Sequence, residues 1–212
     1  MQNIPIFTTQ NGVASLILRE IPYTQIAYIK IESTQAPQAF LEECLSFCKS
    51  VGAEKVFASG HDICTHYTFH TAIWKMRQEK ENLPDTEACL IPVTQKTINR
   101  WLEIYNEKMR NVANSSYMNF IDGKKLLKNG NGYFIHKDGL LLGIGIVSGD
   151  KIEAVAAVQH GAGREVVLAL NHAIFGEQII LEVASTNERA VKLYESLGFI
   201  KTNELSRWYK IF

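Results

Sequence analysis

The chain predicts an α/β (α+β) protein, with strands and helices mixed along one sequence, and three local patterns carry that prediction. The stretch 181–199 runs from an apolar strand through a polar turn into an amphipathic helix, which stops at Gly198 before Phe199. Two tight turns, Lys137-Asp138-Gly139 and Ser148-Gly149-Asp150, lie between apolar runs and mark antiparallel hairpins. Between the second turn and residue 181, another strand-to-helix passage crosses two glycines, Gly161 and Gly163. With 212 residues, 46% of them hydrophobic and 21% charged, the chain can bury one or two cores.

Taken in order, the expected elements begin with strands at 14–19 and 25–32. A helix follows at 37–50, because Pro37 suits a first turn and Gly52 lies just past the end. A strand at 55–58 and a helix at about 68–80 complete a first domain, residues 1–85, which closes on a charged run at 77–81 and a linker at 82–85. The second domain, residues 86–212, opens with a strand at 87–93. A helix at 95–110 comes next, with Thr94 as its cap and Ile98, Leu102, Ile104 and Tyr105 turned inward. A short helical piece at 123–128 ends at the turn Asn129-Gly130-Asn131-Gly132. The hairpin strands 132–136 and 140–147 lead to a strand at 152–158 and a helix at 164–175. A strand at 178–183, the helix beginning at Asn187 and a strand near 206–212 follow.

On the helix after Asn187, residues Ala190, Leu193, Tyr194 and Leu197 share one face, and Tyr194 stands about two turns from Asn187. The run Asn187-x-x-Ala190-x-x-Leu193-Tyr194-x-x-x-Gly198-Phe199 resembles the closing half of the GNAT superfamily of acyl-CoA-dependent N-acyltransferases, at every fixed position of that pattern. The order of elements from residue 86 onward is similar to that of the family as well. The resemblance implies a mixed, mostly antiparallel central sheet flanked by helices. Residues 1–85, with their strand-helix-strand-helix run, then read as an N-terminal α/β half-domain, either a degenerate GNAT half stripped of its motifs or an unrelated extension.

In that family the strand-to-helix turn reads Arg/Gln-x-x-Gly-x-Gly/Ala and its amides hold the coenzyme A pyrophosphate. The coenzyme-binding residues this implies are Val158, His160, Gly161, Ala162, Gly163, Arg164 and Glu165, joined by Asn187 and Tyr194 from the later helix. The turn is physically suited to an anion, since glycines admit a ligand close to the backbone and the unpaired amides of a helix start attract negative charge. His160 and Glu165 depart from the pattern. A carboxylate beside a pyrophosphate costs roughly 1 kcal/mol at surface dielectric unless its side chain turns away. A backbone N–H near Val158 would polarise the thioester carbonyl. The small residues Ala154, Ala156 and Ala157 suit the approach of a pantetheine arm, and equally a tightly packed sheet.

For the chemistry, the resemblance makes Tyr194 the acid that protonates the departing thiolate; a core tyrosine is the plain alternative. Asn187 would touch the pantetheine arm or simply cap its helix. Two carboxylates compete as base. Alternation along the strand sends Glu182 to the face opposite Leu181 and Val183, and this Leu-Glu-Val setting is similar to that of the ribosomal-protein N-terminal acetyltransferases. Glu153 is the second candidate, and attack through water with no dedicated base is the third route. The implied activity is transfer of acetyl from acetyl-CoA directly to a primary amine of a small-molecule or peptide acceptor. The alternative is a non-catalytic protein of the same fold that binds acyl-CoA for sensing or assembly.

Composition excludes several classes. Lys plus Arg and Asp plus Glu are both 22, so the chain lacks the basic footprint of a nucleic-acid binder. No apolar run approaches the roughly 20 residues that span a membrane, and the start Met1-Gln2-Asn3-Ile4-Pro5 has no signal-peptide pattern. Cys44 and Cys48 lie a helical turn apart rather than in a redox motif, which points to a reducing cytoplasm. The cluster His61, Asp62, Cys64, His66 and His70, with His66 and His70 on a shared helix face, fits no ligand spacing, so no metal is expected. A homodimer is compatible with all of this.

Overall fold

The computed structural model describes residues 5–212. The chain divides into two compact units, Met1–Ile73 with Glu204–Phe212, and Trp74–Asn203.

The first unit contains β1 (Ile6–Thr9), β2 (Gly12–Ile17), the single turn α1 (Ile21–Thr24), β3 (Ile26–Thr34), α2 (Pro37–Ser50) and β4 (Lys55–Ser59). A 3-10 turn at Asp62–His66 leads into β5 (Thr68–Glu79), which begins in this unit, and β11 (Ile200–Lys210) ends in it. The strands follow the order β1-β2-β3-β4, and β11 adds antiparallel to β4 through Tyr209 with Ala58 and Lys210 with Phe57. β3 and β4 are parallel, paired without interruption from Ile26 with Lys55 to Lys30 with Ser59.

Alternation along β3 sets the two faces of this sheet. Ala27, Ile29 and Ile31 join Phe40, Leu41, Cys44 and Cys48 of α2 in one core, whereas Tyr28 joins Phe57 and Trp208 in another cluster. Burial pushes the Cys44 thiol up to about 12 and Cys48 to about 11, and it raises Cys64 as well. Thiolate is the reactive form. Titration of the native protein with a thiol reagent near neutral pH should therefore count one fast cysteine, the exposed Cys89, and release the other three only in denaturant. A second fast thiol would mean that the core holding Cys44, Cys48 and Cys64 opens.

The expected helix at 68–80 is the strand β5, along which the chain passes from the first unit to the second between Ile73 and Trp74. Phe69, Ala72, Ile73 and Met76 match helical spacing, which is the source of the wrong expectation. The stretch is nonetheless rich in Thr, Ile, Trp and Phe, which favour an extended backbone, and residues on both faces of the strand are partly covered. β1 and α1 are additional to the expected elements. Both are short, and β1 has no fully buried residue.

The second unit contains the end of β5, β6 (Cys89–Pro92), α3 (Ile98–Met109), α4 (Phe120–Asn129), β7 (Gly132–Lys137), β8 (Leu140–Ser148) and β9 (Lys151–Ala157). It continues through α5 (Gly163–Asn171), β10 (Gln178–Ala184), α6 (Glu188–Ser196) and the start of β11. Its strands run in the order β10-β9-β8-β7-β6, antiparallel except for the parallel pair β9 and β10. Fold class and mixed sheet are therefore as expected, and most elements lie within a few residues of their expected places.

Three ends move. α3 starts after Thr97 rather than Thr94, α5 stops at Asn171 rather than reaching Phe175, and the closing strand starts at Ile200. Phe175, beyond the helix, is 97% exposed. One sheet face packs Leu181 and Val183 with Val166 of α5 and Tyr194 of α6, and the other packs Ile144 and Ala156 with Trp101 of α3 and Leu126 of α4. β8 makes the first packing possible. A Cβ at Gly143 would stand 2.6 Å from Val166, and one at Gly145 would stand 2.4 Å from Leu170, so α5 lies directly on bare backbone.

Candidate active site

β9 and β10 pair at only two positions, Lys151 with Ile180 and Ile152 with Leu181, and then part. Two features of sequence help to separate them. Glu153 is an extra residue in β9, because Ile152 pairs with Val147 and Ala154 with Ile146 on β8, and such a bulge bends its strand. Downstream, the α6 helix packs Leu193 against Gly163 at the start of α5; a Cβ there would come within 3.0 Å of the leucine.

The gap opens into a cleft of about 600 Å³. Its floor is Val155, Ala156, Ala157 and Val158, continued by Gln159, His160, Gly161 and Gly163 of the turn. One wall is the α6 face with Asn187, Ala190, Leu193 and Tyr194, and the other is the end of α3 with Lys108 and Met109, and Val112 just beyond it. Three fixed cations line it, Lys108, Arg164 and Arg189, from three different helices, and among the described residues no carboxylate lines it. In a chain of zero net charge that is a strongly biased surface.

The glycine turn behaves as its sequence suggests. Gly161 has φ +82° with open space beside it, a conformation that β-carbons resist. Ala162 caps α5 with no side-chain hydrogen bond, so the first-turn amides of this helix are not taken by a cap. Asn187 does cap its helix, accepting from the Ala190 amide at 3.3 Å, while also lining the cleft. Tyr194 is 7% exposed, packs its ring 5.8 Å from Phe199, and still reaches the cleft wall. Burial pushes its phenol up to about 12.

Other expected residues are placed differently. The amides of Val158 and Gln159 both donate to the Leu142 carbonyl, so the Val158 N–H is not an open donor for a thioester. Alternation turns the Val155 and Ala157 amides to the cleft side instead. Glu165 is not a lining residue. Its carboxylate accepts from the Thr86 hydroxyl at 2.5 Å and stands 3.8 Å from Lys137. Glu182 faces away from Leu181 and Val183, as alternation requires, and holds Lys151 Nζ at 2.6 Å outside the cleft lining. Glu153 is exposed in its bulge. Among the three, the structure brings none into the cleft.

His66 ends a 3-10 turn and His70 lies in β5, so the two share no helix. His61 Nδ1 accepts from the Ile63 amide, and His70 stacks on Phe57 with ring centres 4.0 Å apart. Lys108, Met109, Val112 and Arg189 are not marked by any motif in the sequence. Arg189 alone carries a signal: a cation in the first turn of a helix opposes the helix dipole and needs another reason to be there.

With this geometry established, comparison with known proteins identifies the architecture. The sequence profile of the FR47-like protein family matches residues 156–209. No curated protein sequence matches. A functionally unknown conserved protein from Staphylococcus epidermidis superimposes with a TM-score of 0.64 at 13% identity, over 99% of this chain and 94% of the other. A GCN5-related N-acetyltransferase from Sphaerobacter thermophilus gives 0.58 at 11% identity, over 93% of this chain and 75% of that one. Another GCN5-related N-acetyltransferase, from Anabaena variabilis, gives 0.59 at 10% identity over 94% and 59%. At such identities the likeness is one of fold. Together with the FR47-like segment it bears out the resemblance to the GNAT superfamily.

Proposed function

Starting from its GNAT fold, we propose that the protein is an N-acetyltransferase that moves acetyl from acetyl-CoA directly to a primary amine of a small molecule or peptide. The observation that carries the reading is the cleft: cationic at Lys108, Arg164 and Arg189, free of carboxylates among the described residues, and floored by a parted strand that ends at an uncapped helix start. These features fit a polyanion with a slender apolar arm, which is how coenzyme A is built. The bound donor would supply an activated acyl carbon, and the other steps fall to the chain.

The α5 amides and Arg164 hold diphosphate, and the Val155 and Ala157 amides polarise a carbonyl lying along β9. Tyr194 holds a proton on its phenolic oxygen and gives it to the leaving sulfur. The incoming amine must lose a proton. Because Glu182 stands outside the cleft lining and is paired with Lys151, we assign that step to Glu182 acting through water, with water alone as the route if Glu182 is dispensable. The four unpaired thiols suit a reducing cytoplasm, the compartment we propose.

The lack of a carboxylate among the described lining residues favours a second reading, a protein that binds acyl-CoA without turnover. Calorimetric titration with acetyl-CoA and with free coenzyme A separates the outcomes. Micromolar binding together with acetylation of members of an amine panel supports the enzyme. Micromolar binding without transfer selects the second reading, and no binding at millimolar ligand ends both.

A further inference from the structure

Glu165 occupies the third position of α5, the helix whose N-terminus faces the cleft. A glutamate there ordinarily folds back toward the backbone at the helix start. In this helix that would lay a carboxylate on the amides an anionic ligand needs, and the cap residue Ala162 has no side-chain hydrogen bond to compete with it. The carboxylate is held elsewhere. Thr86 Oγ1 donates to Glu165 Oε2, and Lys137 Nζ lies 3.8 Å from the same oxygen. The Thr86 hydroxyl is itself aimed, because it accepts from the Ala88 amide at 3.1 Å and so turns its hydrogen outward. The neighbouring Asp85 adds a second tie to α5, with His172 Nε2 2.8 Å from its Oδ1.

We infer that Thr86 is a positioning residue for coenzyme binding: with Lys137 it holds the Glu165 carboxylate off the α5 N-terminus and keeps that anion site open. The inference rests on the coenzyme A reading of the cleft. It also accounts for the tolerance of an acidic residue where the pyrophosphate pattern has Gly or Ala. Repulsion that would act on a free carboxylate is removed by its two partners rather than by its deletion.

The test is a double-mutant cycle on the full chain, with Thr86→Val and Glu165→Gln alone and together, titrated calorimetrically with coenzyme A and with inorganic pyrophosphate. Thr86→Val is expected to weaken binding about fivefold to tenfold in the native background, and by less than about twofold when Glu165 is glutamine. The loss should shrink as salt is raised, since it is electrostatic, and Thr86→Ser, which keeps the hydroxyl, should bind as the wild type does. An unchanged affinity in Thr86→Val, or an equal loss in both backgrounds, overturns the inference, the second because it would mark a merely structural role. If Thr86→Val does not fold, Lys137→Met run in the same two backgrounds decides in its place. Wild-type protein that binds pyrophosphate but not coenzyme A would overturn the coenzyme reading, while the cycle read with pyrophosphate still decides the role of Thr86. Protein that binds neither overturns both.

Discussion

Replacing Tyr194 with phenylalanine is expected to lower kcat by about a hundredfold or more while changing the Kd for coenzyme A by less than about twofold. The ring, with its packing against Phe199, remains in the variant, and only the phenolic hydroxyl of a cleft-lining residue is lost. Burial pushes the phenol up to about 12, so it keeps its proton through the neutral and mildly alkaline range. For an acid the sign is favourable, since the competent form is the protonated one and it is depleted only as pH rises toward that value. The wild-type rate should therefore climb as the acceptor amine deprotonates and show no falling limb from this group near pH 10, where an ordinary tyrosine ionises. A variant with wild-type kcat would remove the acid role. A falling limb near pH 10 that disappears in Tyr194→Phe would show that the phenol is not desolvated in solution.

The second large effect is on stability. Trp101→Ala should lose about 3–5 kcal/mol, as large aromatic deletions in cores do. Trp101 is fully buried, its Nε1 donates to the Tyr133 carbonyl at 3.0 Å, and its ring stacks on Tyr105 at 5.4 Å. It fastens α3 to β7, and the far end of α3 supplies Lys108 and Met109 to the cleft, with Val112 just beyond it. Urea denaturation followed by circular dichroism reads the loss. Coenzyme affinity, measured below the unfolding transition, should fall with it because that wall loosens. A change under about 1 kcal/mol would mean that α3 is held by other contacts.

How much of the molecule is legible in its sequence depends on how local the cause is. α2 lies where Pro37 and Gly52 bracket it, and α6 where Asn187 and Gly198 do, because caps and stops act within a few residues. β5 reads wrongly as a helix because one stretch of apolar residues satisfies two periodicities at once, and only pairing with other strands chooses between them. In the site, Asn187, Tyr194 and the glycine turn belong to contiguous motifs and are legible. Lys108 and Arg189 become a pair only when two helices distant in sequence face one cleft, which no local pattern records. The fate of Glu165 turns on Thr86, a partner 79 positions away.

The return of Glu204–Phe212 to the first unit bears on the order in which the molecule can mature during synthesis. The second unit is one uninterrupted stretch, Trp74–Asn203, and can close once that stretch has left the ribosome. The first unit, though translated earlier, must wait for β11 to reach β4. At ordinary translation rates that leaves the β4 edge without a neighbour on that side for on the order of ten seconds. An exposed strand edge of this kind is a ready template for wrong pairing. A released chain truncated after Asn203 should accordingly be the species that recruits chaperones, with its second unit folded and its first still unfinished.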